Sequence, residues 1–136
     1  MADVAENLRT FLLADASVAA KVGTLVNQDV LPQGKGDLFI VYVLDETTKL
    51  RCLNETENTP FSYIFAVFCV GQTRDDANSL AILVNARCES AASGGTFGDQ
   101  TVANVFCEIN DDDYQQRAAD LNLGEYVAAL QVEVFP

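Results

Sequence analysis

The chain has 136 residues, 20 acidic against 8 basic, for a formal charge of −12 and a sequence pI near 4.1. It contains no His and no Trp, and 49% of its residues are apolar. One ordinary core fits this length and two do not, so residues 1–136 read as a single domain; the apolar share excludes a wholly disordered chain, the charge excludes a phosphate-rich partner held by clustered Lys and Arg, and the missing His excludes Ser-His and Cys-His catalysis within one chain.

Val4, Leu8, Phe11 and Leu12 recur at helical spacing with polar residues between them, so the first element is predicted as a helix, with Asp3 and Glu6 resembling a capping box. A second short helix is predicted over Ala16 to Lys21, where Asp15 can cap the start and Gly23 can end it with a positive φ. Thr24 to Val30 reads as a short extended piece, and Leu31 to Gly36 as a turn. Leu38 to Leu44 and Phe61 to Val70 are apolar on both parities, which predicts strands covered on both faces. The polar stretch Asp45 to Pro60 between them reads as the arms and tip of a long antiparallel hairpin reaching into solvent.

Thr73 is a helix cap, and Asp75 and Asp76 sit in the first turn, where the helix dipole favours them. Ala77, Leu80, Ala81, Val84 and Cys88 form the core stripe of that helix. Ile82 and Leu83 fall off the stripe, so they bury under a loop or meet a second protein chain. Gly94 to Gly98 reads as a mobile connector, because the Lys of a phosphate-binding loop is missing. Val102 to Ile109 is predicted as a strand with Ala103, Val105, Cys107 and Ile109 inward, although Phe106 breaks the alternation. Tyr126 to Val134 alternates cleanly, with Tyr126, Ala128, Leu130, Val132 and Val134 on one face. The long loop between them, Asn110 to Glu125, has the length of a functional or partner-ordered segment. The element order predicts an α+β fold: a mainly antiparallel sheet with a long β-hairpin and two main helices packed on it.

No catalytic constellation emerges, and no cofactor is expected. Cys52, Cys69, Cys88 and Cys107 lack any C-x-x-C spacing and are expected to be free structural thiols. Glu108, Asp111, Asp112 and Asp113 offer oxygen ligands to a hard cation, but the alternating pattern of a calcium loop is not met and a solvated rim is expected. Asp75/Asp76 and Glu55/Glu57 are paired carboxylates without an evident cleft. The amino terminus has no basic stretch and apolar run of a secretory signal, so a reducing cytosol is expected and the Asn54-Glu55-Thr56 sequon is expected to stay idle. The longest apolar run, Tyr63 to Val70, is too short to cross a bilayer as a helix.

Several strings along nearly the whole chain resemble the phage tail-completion proteins, which include siphophage tail terminators and tail-to-head joining proteins. They are Leu12-Leu13-Ala14-Asp15, Val18-Ala19-Ala20, Val22-Gly23 and Leu31-Pro32-Gln33-Gly34 before a strand ending near Tyr42. Further on, Phe65-Ala66-Val67-Phe68-Cys69 precedes Asp76-Ala77-Asn78-Ser79-Leu80-Ala81. The resemblance implies a non-enzymatic virion part, assembled in the host cytoplasm, that forms a ring, hexameric in that family. Such a ring caps the tail tube and joins it to the head. The implied partners are further copies of the chain, the tail tube protein and a head-completion or connector protein, with genomic DNA passing through without specific binding and no membrane partner. Ile82 and Leu83 are then candidates for the contact between subunits, and Asp111, Asp112 and Asp113 for an acidic lumen or rim that keeps DNA from sticking. The alternatives are another head-tail connector component, or a soluble adaptor that binds a protein through the Asp45 to Pro60 hairpin without forming a ring.

Overall fold

The computed structural model describes residues 4–28, 38–49, 60–98, 100–109 and 126–135. Its order is α1 (Val4–Leu13), α2 (Ala16–Val22), β1 (Val26–Gln28), β2 (Phe39–Lys49), β3 (Pro60–Gly71), α3 (Arg74–Glu89), β4 (Gly95–Phe97), β5 (Gln100–Val102), β6 (Asn104–Ile109) and β7 (Tyr126–Phe135). Five strands form one sheet in the order β1-β2-β3-β7-β6, antiparallel throughout except for the parallel β1-β2 pair, and β4 and β5 form a separate hairpin. The predicted α+β class is the observed one.

Local chemistry sets the helix ends. The Asp15 carboxylate accepts the Ser17 and Val18 N–H groups at 2.8 and 3.3 Å, and Gly23 closes α2 at φ 63° with its N–H on the Ala19 carbonyl. Thr73 accepts the Asp76 N–H at 3.1 Å to start α3, with Asp75 and Asp76 exposed in the first turn. These side chains satisfy amide groups that have no partner within the helix. Asp3, expected to cap α1, lies outside the described residues, as do Leu31 to Gly36 and the hairpin tip at 50–59.

The period-two pattern of the central strands assigns their faces. Ile40 and Tyr42 of β2, Phe65, Val67 and Cys69 of β3 and Ala128, Leu130, Val132 and Val134 of β7 join the buried faces of the helices in one main core. The opposite parity, Phe39, Val41, Ala66, Phe68, Val70 and Ala129, is buried in a second cluster on the other side of the sheet. α1 is tied down by the Tyr42 hydroxyl, which donates to the Ala5 carbonyl at 2.7 Å. Arg9 donates to the carbonyls of Val26 at 2.9 Å and Thr24 at 3.1 Å. The neighbouring Leu25 carbonyl accepts from Ile40 of β2, so the Val26 carbonyl faces away from β2 and Arg9 covers that sheet edge, a position otherwise open to another strand.

Two expectations are corrected. The Gly94 to Gly98 connector contains β4, paired to β5 through Thr96 and Thr101, and it carries the fully buried Phe97. Ala103, expected inward, is exposed at the break between β5 and β6, where its N–H donates to the Phe135 carbonyl at 2.8 Å. The hairpin turns on Gly98, whose φ is +65° and whose Cα lies against the buried side chain of Asn7, so that a Cβ there overlaps the Asn7 amide. Gly98→Ala is therefore expected to cost about 3 kcal/mol, from backbone strain plus overpacking. Gly23→Ala, also at positive φ but with open space around it, carries strain alone. Urea unfolding of both checks this; equal losses would remove the steric part of the argument.

Candidate functional site

Exposed large apolar side chains on a folded surface are candidate contact points with other molecules. The core stripe of α3 is the one read from the sequence: Ala77, Leu80, Ala81, Val84 and Cys88 are buried against the sheet. The two residues off that stripe diverge. Leu83 is half-buried and packs against the main core, whereas Ile82 stands on the outer side of α3 with 62% of its surface open. Ile82 lies one turn from the exposed Asn78, Ser79 and Ala86, so a lone branched apolar side chain stands in a small polar field.

A second apolar spot lies on the opposite layer. Phe106 of β6 is 55% exposed and meets Phe135 of β7 edge to face, with ring centroids 5.8 Å apart. In register, Phe106 opposes Glu133, whose parity is that of Val127 and Ala129 in the second cluster, so both rings stand on the side away from the helices. The Glu133 carboxylate is fixed beside them by the Ser62 hydroxyl, which donates to Oε2 at 2.8 Å. Sequence reasoning saw Phe106 only as a break in the alternation. That break was itself the signal, because an aromatic residue on the polar parity of an edge strand is placed outward.

Asp111, Asp112 and Asp113 lie outside the described residues, as do Glu55, Glu57 and Cys52. Glu108, their neighbour, is exposed on β6. Among the described residues no three metal-ligating side chains come close enough to hold an ion, and no helix is long and apolar enough to cross a membrane. The described thiols are free and structural, as expected: Cys69 and Cys88 are fully buried in the main core and Cys107 packs against it. Burial pushes the Cys69 thiol far up from its ordinary value. A hydrogen bond with Cys107, then burial, does the same to Cys88.

The arrangement is thus a five-stranded mixed sheet with helices on one face, a small hairpin at its end, and separate apolar spots on its two layers. No protein-family model matches the chain, and no curated protein does. Among solved structures, its fold is similar to that of the sheath/tube terminator, in the extended state, of an extracellular contractile injection system, PVC. The TM-score is 0.56 at 11% identity, over 97% of this chain and 53% of that one, so this chain spans about half the length of that terminator. At that identity the likeness is one of fold, and the fold is tail-terminator-like.

Proposed function

We propose that the protein is a non-enzymatic structural part that terminates a tail tube, working as a closed ring of copies. The observation that carries this reading is the likeness of fold, across nearly the whole chain, to a sheath/tube terminator. A ring needs head-to-tail contacts between two different patches on each copy. Ile82 on the helix layer and the Phe106-Phe135 pair on the other layer supply two such patches. Six copies is the number that the resemblance to phage tail-completion proteins implies.

In this reading the ring seats on the tube protein on one side and meets a head-completion or connector protein on the other. The particle is assembled in the host cytoplasm, and DNA passes through without specific binding. The acidity supports the last point: 6 of the 20 acidic residues lie from Glu108 to Glu125 beside one basic residue, Arg117, and like charge keeps a duplex off the wall.

The test mixes purified protein with tail tubes and reads capped ends and ring symmetry by electron microscopy. Capped tubes are expected, and a variant with Asp111, Asp112 and Asp113 all changed to Lys is expected to cap equally well while slowing DNA ejection from assembled particles. Unchanged ejection would remove the acidic-lumen role. Monomers that leave tube ends bare, yet bind a partner through the Asp45 to Pro60 hairpin, would replace the ring by an adaptor.

A further inference from the structure

Three thiols distant in sequence share the main core of this fold, and none has a part in the assembly reading. Cys69 on β3 and Cys88 on α3 are fully buried, and Cys107 on the edge strand β6 is half-buried against the same core. The backbone draws the last two together. The Ala91 N–H donates to the Cys88 carbonyl at 3.0 Å, and the Val105 N–H donates to the Ala91 carbonyl at 3.2 Å, which laces the end of α3 to β6 two residues before Cys107. Val105 and Cys107 oppose Val134 and Val132 in register, so both stand on the helix side of the sheet. The Cys107 side chain therefore faces the end of α3 that carries Cys88.

We propose that Cys88 and Cys107 are an oxidisable pair, a disulfide-forming site that fastens the C-terminal turn of α3 to the sheet edge when the protein meets a peroxide. Burial sets the order of events, because the half-buried Cys107 meets the oxidant before the enclosed Cys88 does. The Cys107 sulfur, as thiolate, attacks one peroxide oxygen and breaks the O–O bond, giving a sulfenic acid and a hydroxide that takes up the proton the thiol has lost. The Cys88 sulfur then displaces the sulfenic hydroxyl, forming the S–S bond, and its thiol proton leaves with that hydroxyl as water. The two sulfurs lose two electrons and the peroxide gains them, so two thiols and one peroxide become one disulfide and two waters. Cys69 is enclosed in the core and is a bystander. The inference is independent of the proposed function, since it concerns one copy of the chain.

The test treats the full chain with hydrogen peroxide, alkylates the remaining thiols, and maps linked peptides by mass spectrometry. A Cys88-Cys107 peptide is expected as the main product, reversed by dithiothreitol and accompanied by a rise in thermal midpoint of about 10 °C, as a crosslink closing a loop of roughly twenty residues gives. Cys52→Ser is expected to leave both unchanged, and Cys107→Ala to abolish both. Where Cys107→Ala does not fold, the map of the wild-type chain decides by itself. Cys88 still open to alkylation while Cys107 is oxidised, or a main linkage through Cys52 or Cys69, would overturn the proposal.

Discussion

Replacing Phe11 by Ala is expected to lower the unfolding free energy by about 4 kcal/mol, a large share of the total stability of an ordinary domain. The side chain is 2% exposed and stands where three elements meet. Its ring stacks on Phe97 of the β4-β5 hairpin with centroids 4.8 Å apart, and the Arg87 guanidinium of α3 lies 4.1 Å above it. Arg87 also donates its Nε proton to the Phe11 carbonyl at 2.9 Å, so the backbone of α1 is bound to α3 at the same point. Removing the ring opens a cavity too large for local collapse and strips both partners of their contact surface. Phe11→Leu keeps most of the volume and is expected to cost about 1.5 kcal/mol. Arg87→Ala removes the cation over the ring and one bond to a carbonyl, with an expected loss of about 2 kcal/mol. Urea unfolding of the three variants checks the order; a Phe11→Ala loss below that of Arg87→Ala would show that the hairpin does not depend on this ring.

The same residues show how far the sequence could be read. Faces of β2, β3 and β7 were legible because alternation is a local property, and both parities of Phe39 to Tyr42 and Phe65 to Val70 land in the two clusters as read. The caps at Asp15, Gly23 and Thr73 were legible for the same reason, since each acts within a few residues of its own position. The β4-β5 hairpin was not. Gly94, Gly95 and Gly98 mark a loop by every local rule, and Phe97 is buried in the main core, its ring against that of Phe11, far away in sequence. Parallel pairing of β1 with β2 likewise rests on a non-local choice, helped by Arg9 reaching from α1 to the outer edge.

The candidate surface divides along the same line. Ile82 was visible because it leaves the helical stripe of α3, and a departure from periodicity is local. The depth to which Leu83 sinks into the core was not visible, because it depends on how α3 lies across β3, β6 and β7. Thiol convergence is the clearest case: Cys88 and Cys107 meet through the lacing of Val105 to Ala91, which no spacing in the chain announces.

Ile82→Glu is expected to abolish ring formation while leaving the single copy folded. In the monomer the side chain is 62% exposed, so the change is expected to move stability by no more than about 0.5 kcal/mol. Against a neighbour the position is different, because a carboxylate enclosed at an apolar contact without a partner costs several kcal/mol. At about 3 kcal/mol per contact, each association constant falls by roughly 100-fold, and a closed ring suffers that loss at every interface. The formal charge of −12 on each copy opposes assembly further, so wild-type rings are expected to be favoured by added salt, which screens the repulsion. The variant is expected to stay monomeric at any salt. Leu83→Ala separates the two roles: it removes core packing, so its expected effect is a loss of about 2 kcal/mol in the monomer before assembly is considered. Light scattering and negative-stain imaging across concentration and salt read the outcome. Rings of Ile82→Glu at wild-type concentrations would show that the helix layer is not the interface, and would leave the Phe106-Phe135 pair and the sheet edge to carry it.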